Sequence, residues 1–198
     1  MPFPPDAIAE AAFLVVAGCW LGFGVILVVG KKAAAASFAK RDLKSHLGFA
    51  LQGLSYAVLF IFSRPYFSPL IAMSQTNERI LSLAVTAIAI GSDWFCFAAA
   101  RALGKQWALV ARVIEGHELV ERGPYAVVRN PIYFAMLGML VATGLAASRW
   151  QSLVAAVALF TIGTEIRIRS EEKLLREAFG PRFEEYARRV PAFFPRLW

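Results

Sequence analysis

Apolar residues gather into five runs divided by polar segments: about Ile8 to Gly30, Leu47 to Phe62, Ile80 to Ala102, Ile132 to Ala147 and Trp150 to Ile166. A helix needs roughly 20 apolar residues to cross the hydrocarbon of a bilayer. The first and third runs reach that length unaided, and the second reaches it only with flanks such as Leu43 and Tyr66. The fourth and fifth are short. Little more than Ser148-Arg149 separates them, which predicts a tight helical hairpin. The pattern predicts an all-α integral membrane protein with about five transmembrane helices.

Composition agrees with that reading: 58% of the 198 residues are hydrophobic, and the mean hydropathy is +0.55, well above what a soluble domain carries. No repeat or low-complexity linker divides the chain, so residues 1–198 read as a single membrane domain. Within it, 1–104 is a three-helix part expected to form a structural wall. Residues 105–198 alternate short apolar and dense polar stretches, and the chemistry is expected there. The first ten residues offer only Asp6 and Glu10, with no basic segment ahead of the apolar core, so the first helix is expected to be retained.

Of the 21 Lys and Arg, 18 fall in the loop after helix 1, the segment after helix 3 and the C-terminal tail; only Arg64, Arg79 and Arg149 fall on the other side. That bias predicts an outside N-terminus and a cytoplasmic tail. It also accounts for the net charge of +7 through attraction to anionic headgroups, with no nucleic acid required. Cys19 and Cys96 lie inside apolar runs without a CxxC spacing and read as packing residues. There is no HExxH and no Cys/His cluster, so no metal site is expected.

Two polar residues inside the runs stand out. Asp93, in Gly91-Ser92-Asp93-Trp94, either faces a cavity or pairs with Arg101 or Lys105. Gln52 in helix 2 is expected to make an interhelical hydrogen bond.

Three signatures surround the hairpin: Gly116-His117-Glu118-Leu119-Val120 with Gly123-Pro124-Tyr125, then Arg129-Asn130-Pro131-Ile132-Tyr133, then Arg167 to Glu172. Asn130-Pro131 reads as the start of helix 4, since Asn caps free amides and Pro loses nothing at the first helical position. The same helix end offers its dipole to a carboxylate or phosphate, and Tyr125 and Tyr133 place aromatic faces nearby for a purine or a cation. His117 is expected to donate a hydrogen bond to a bound molecule or to the following turn, and Gly123-Pro124 to turn the chain back toward the membrane.

Helix 5 is expected to run out of the bilayer. At 100° per residue Glu165, Arg169, Glu172 and Arg176 share one face and read as a solvated ladder, while Arg167 and Glu171 fall with Leu174 and Leu175 on the packed side. An ion pair on a packed face is either structural or functional. Phe179-Gly180 supplies a glycine helix stop, and Pro181 to Tyr186 with Val190-Pro191 forms a short amphipathic return.

In order, G-H-x-L-V-x-x-G-P-Y, R-N-P-x-Y, a short hairpin, R-x-x-x-E-E-x-x-L, F-G and Val-Pro-x-x-x-Pro resemble the isoprenylcysteine carboxyl methyltransferase and phospholipid methyltransferase superfamily, over about Ala111 to Pro195. The resemblance implies a membrane enzyme using S-adenosylmethionine, with cytoplasmic C-terminal helices closing the cofactor pocket and a side opening for a lipophilic small-molecule or lipid-linked substrate. It implies that His117, Leu119, Val120, Tyr125, Asn130, Pro131, Tyr133, Glu171 and Glu172 bind the cofactor. Arg167 and Glu171 are then the catalytic pair, with Arg167 orienting an acceptor carboxylate by a bidentate contact. Where the family commonly has Arg-His-Pro this chain has Arg129-Asn130-Pro131; Asn130 can donate a hydrogen bond and cap the helix but cannot carry charge.

The first expectation for function is O-methylation of an isoprenylcysteine-type carboxylate. Alternatives are N-methylation of a phospholipid amine, S-methylation of a small thiol, a reductase marked by NADPH in place of S-adenosylmethionine, and a membrane sensor that keeps the fold without turnover. No GxGxxG follows a strand, which argues against a soluble Rossmann-type methyltransferase.

Overall fold

The computed structural model describes residues 7–33, 44–63, 75–104 and 118–195. They fold into six α-helices: α1 (Ala7–Ala33), α2 (Lys44–Val58), α3 (Gln75–Leu103), α4 (Pro131–Ala147), α5 (Trp150–Phe179) and α6 (Pro181–Arg189), with a 3-10 turn at Gly123–Ala126 before α4. No named strand occurs among the described residues. Three helices contain stretches long and apolar enough to cross a membrane: Ala7–Val28, Thr76–Leu103 and Trp150–Phe179. Their outward faces carry Leu14, Leu21, Val25, Leu83, Trp94 and Val154, all exposed, as a lipid-facing surface requires when every backbone group is satisfied within its own helix. α4 is shorter, at 17 residues, and apolar.

α1 packs on α3, α3 on α4, α4 on α5, and α5 on α2. The first three helices therefore do not form a wall by themselves, because α2 docks on α5. The residues on its docked face explain this: Ser45, Gly48, Gln52 and Ser55 recur at helical spacing and are all buried, and all four are small or polar. Such a face gains little from lipid and much from a partner helix with matching groups. At the crossing, a Cβ added to Gly163 would lie 2.7 Å from the Gly48 carbonyl oxygen, and one added to Gly48 would lie 2.6 Å from that of Gly163. Only glycine at both positions permits this approach.

α2 ends at Val58, short of the apolar run that extends to Phe62. Leu59 to Phe62 turn instead, tied to the hairpin corner by Ser148 Oγ donating to the Leu59 carbonyl (2.5 Å) and by Arg149 N–H donating to that of Phe62 (3.1 Å). α4 and α5 are joined through Ser148-Arg149 alone, as the run spacing predicts.

Cys19 and Cys96 are free and buried, in a core of α1, α3 and α4 that includes Phe23, Val85, Ala89, Met139 and Ala142. Asp93 faces α1: a Cβ at Gly22 would meet its Oδ2 at 2.8 Å. Among the described residues no hydrogen-bond partner reaches Asp93 Oδ1; Lys105, one expected partner, lies outside them.

Candidate functional site

The described polar signatures converge where α4 begins, α5 leaves the apolar layer and the C-terminal return folds back. Gly123 has φ +61°, a left-handed conformation that suits glycine, and it opens the 3-10 turn carrying Tyr125. The Tyr125 ring is buried, and its carbonyl accepts the Tyr186 hydroxyl at 2.7 Å. Gly180 (φ +52°) ends α5 and starts α6. α6 then lays Phe183 and Tyr186 on Leu119, joined by Val190 just past its end.

Arg129 fastens this return. Its Nε and Nη2 donate to Glu172 Oε1 at 2.9 and 2.6 Å, its Nη1 donates to the carbonyls of Ala187 (2.9 Å) and Val190, and its backbone N–H donates to that of Pro191 (2.9 Å). Asn130 extends the clamp, its Nδ2 donating to the Ala192 carbonyl at 2.8 Å. Asn130 does occupy the N-cap position of α4, but its side chain makes no cap bond. The amide is committed to the returning chain, and Pro131 fixes the helix start.

Glu172 is 7% exposed, which corrects its place on a solvated ladder. Glu165 and Arg169 do pair in the open at 2.7 Å. One turn further on, the return covers the same face, and Glu172 is held by Arg129 and, through Oε2, by Arg176 at 3.1 Å. Arg176 also reaches Glu184 of α6 at 2.8 Å.

Glu171 points the other way. Its Oε1 accepts the Tyr133 hydroxyl and lies 3.5 Å from Arg167 Nη2. Arg167 is 3% exposed; its guanidinium carbon sits 4.9 Å from the Tyr133 ring centroid and 5.6 Å from that of Phe49. Its Nη1 donates to Gln52 Oε1 at 3.2 Å, while Gln52 Nε2 donates to Thr164 Oγ1 at 2.8 Å. The Glu171 side chain remains 25% exposed against 4% for Arg167, so the carboxylate is the open edge of this cluster.

The structure thus brings Tyr133, Arg167 and Glu171 into one network. Asn130 and Glu172 sit in the adjoining clamp, with Pro131 buried between the two. Tyr125 and Leu119 lie among the packing residues of the return and Val120 is half-buried beside it; His117 lies outside the described residues. Phe49, Gln52 and Thr164 are the additions that sequence reasoning did not assign to the site. The signal for Gln52 was present in the small and polar stripe of α2. Burial, above all, pushes the phenols of Tyr125 and Tyr186 above the ordinary tyrosine range, with the Glu171 carboxylate adding to the effect at Tyr125.

An all-helical membrane protein with a buried Arg-Glu-Tyr network at the end of a helical hairpin is the class that fold and site define. The family model described as phospholipid methyltransferase matches residues 79–182, more than half of the chain. The chain belongs to that family, which implies a methyl donor.

Among curated proteins it is 41% identical over 97 residues to the cobalt-zinc-cadmium resistance protein CzcN of Cupriavidus metallidurans, covering 48% of this chain and 44% of that one. It is 42% identical over 97 residues to the nickel-cobalt-cadmium resistance protein NccN of Alcaligenes xylosoxydans xylosoxydans, covering 48% and 45%. Protein-S-isoprenylcysteine O-methyltransferase B of Arabidopsis thaliana is 38% identical over 82 residues, 41% of each chain. The chain spans less than half the length of each of these relatives.

Proposed function

We propose that this protein is an S-adenosylmethionine-dependent methyltransferase that modifies a lipophilic acceptor taken from the bilayer, with an isoprenylcysteine-type carboxylate as the first candidate. The observation that carries the reading is the Tyr133–Glu171–Arg167 network, set at the membrane end of the hairpin in a chain of the methyltransferase family.

The donor set fits such a cofactor. Glu171 keeps an open edge while its other contacts are fixed, and a carboxylate in that setting favours a cation. When bound, S-adenosylmethionine supplies a methyl group on a positively charged sulfur. In this reading Glu171 and the segment from His117 to Tyr133, with Leu119, Val120, Tyr125, Asn130 and Pro131, form the cofactor end. Glu172 supports that end through Arg129. Tyr133 holds the Glu171 carboxylate in place, and Arg167 orients the acceptor carboxylate. The half-exposed Phe49 ring, which covers Arg167 from α2, is the group an acceptor's apolar tail displaces. Methyl transfer then needs alignment and the exclusion of water more than proton chemistry. The site is assigned to the cytoplasmic side on the distribution of basic residues.

One observation favours a second reading, N-methylation of a phospholipid amine: Glu171 is more open than Arg167, which suits a cationic headgroup. S-methylation of a small thiol stays among the acceptors to be tested. The test is purified protein with labelled S-adenosylmethionine and a panel of prenylcysteine acids, amine phospholipids and small thiols. Label on the acids supports the first reading, and label on the amines moves the assignment to the second. No labelling together with no binding of the cofactor overturns the enzyme reading.

A further inference from the structure

The strongest unassigned feature is the contact between α2 and Arg167, because α2 lies wholly outside the segment that matches the family. Gln52 is 1% exposed, and its two ends are chemically sorted. Arg167 can only donate, so the Gln52 amide must turn its oxygen to Nη1 (3.2 Å) and its nitrogen to Thr164 Oγ1 (2.8 Å). Thr164 stands one turn before Arg167 on α5, so the amide bridges two successive turns and fixes the guanidinium relative to its own helix. The Gly48–Gly163 approach sets the distance at which this bridge closes. Gln52 is also neutral. It therefore holds Arg167 without spending the positive charge that Glu171 already shares.

We propose that Gln52 is a positioning residue for Arg167 and that its neutrality helps decide which acceptors the site takes. The proposal rests on the reading of Arg167 as the acceptor-orienting group. Removing the amide lets the guanidinium rotate in its slot between Tyr133 and Phe49. Replacing it by a carboxylate keeps the guanidinium in place but surrounds it with two negative groups, which compete with an acidic acceptor and tolerate a cationic one.

The experiment compares Gln52→Leu, Gln52→Glu and, as a control on the same buried face, Ser45→Ala, whose hydroxyl has no hydrogen-bond partner among the described residues, all in the full chain in detergent. Four quantities are read: KM and kcat for whichever acceptor takes label, affinity for S-adenosylhomocysteine, and the rate at which phenylglyoxal modifies Arg167, followed by peptide mass spectrometry. Gln52→Leu is expected to raise the acceptor KM about tenfold, as loss of a hydrogen bond to a charged group does, with cofactor-product affinity within about twofold, and to speed modification of Arg167. Gln52→Glu is expected to depress methylation of acids more than that of amines and to leave Arg167 as protected as in wild type. Ser45→Ala should change none of these.

The proposal is overturned if Gln52→Leu leaves both acceptor KM and Arg167 reactivity at wild-type values. It is equally overturned if thermal stability, cofactor affinity and turnover fall together, as a purely structural contact would make them. A wild-type protein that methylates no acid defeats the carboxylate reading alone, and the phenylglyoxal rates still decide the role of Gln52.

Discussion

Arg129 and Glu172 are 43 residues apart and share two hydrogen bonds of 2.9 and 2.6 Å to a single carboxylate oxygen. The pair joins the entry of α4 to α5 beneath the C-terminal return, with both side chains nearly buried. Truncating Glu172 leaves Arg129 as an uncompensated buried charge, which costs about 3 kcal/mol or more, and truncating Arg129 leaves Glu172 with Arg176 alone and frees the carbonyls of Ala187 and Val190. Glu172→Ala and Arg129→Ala are each expected to lower the unfolding temperature sharply. The double variant should lose less than the sum. Additive losses in this cycle, measured by thermal unfolding in detergent, would show that the two residues act separately.

Arg167→Lys separates orientation from charge. The ammonium keeps the positive charge but not the planar fork. Turnover is expected to fall by tenfold or more while affinity for the cofactor stays near wild type. Near wild-type methylation of a prenylcysteine acid by purified Arg167→Lys would remove the residue from the acceptor site.

Glu171→Gln tests which cofactor group faces the open carboxylate. The amide keeps the shape and can still accept from Tyr133. If the carboxylate serves the sulfonium, S-adenosylmethionine should bind about tenfold more weakly, and the neutral S-adenosylhomocysteine should bind nearly as before. Equal loss for both ligands, by calorimetry, would move Glu171 to a part of the cofactor remote from sulfur.

The clamp and the network differ in how far the sequence announces them. Asn130-Pro131 and Ser148-Arg149 mark both ends of α4, because prolines and short polar breaks act locally. Helical spacing likewise places Arg167 beside Glu171. The same spacing misassigns Glu172, since a helical wheel cannot register that the returning chain folds over one end of the face or that Arg129, 43 residues earlier, reaches the carboxylate there. It also leaves Gln52 as a generic interhelical contact. Its partner on α5 is 115 residues distant, and nothing local says that α2 packs chiefly on α5 rather than on α1 or α3.

Alkaline pH probes the C-terminal return. Tyr125 and Tyr186 ionise less readily in the fold than in an unfolded chain, chiefly because they are buried. Their contribution to stability is therefore complete below about pH 10, the ordinary tyrosine value, and is lost as pH rises through the raised folded values. Wild-type unfolding temperature is expected to decline above that point. Tyr186→Phe should start lower by about 1 kcal/mol, having lost the bond to the Tyr125 carbonyl, and decline less steeply. An identical alkaline slope in the two proteins would contradict this assignment.

Membrane orientation is open to direct labelling. Arg149, at the hairpin corner, and Arg188, on α6, are both exposed, whereas native Cys19 and Cys96 are buried and give low background. Cysteines introduced at 149 and 188 should react with an impermeant maleimide from opposite sides, with 188 on the cytoplasmic face. Reaction of both from one side would refute the topology.

The polar face of α2 bears on how the chain is made. Gln52 emerges from the ribosome long before α5 exists to receive both ends of its amide, and lipid offers it no hydrogen bonds. Until the hairpin is synthesised, α2 is a poor resident of the bilayer and must stay with the insertion machinery or lie near the surface. Nascent chains that stop before α5 therefore expose a helix that membrane proteases and chaperones can recognise as unfinished.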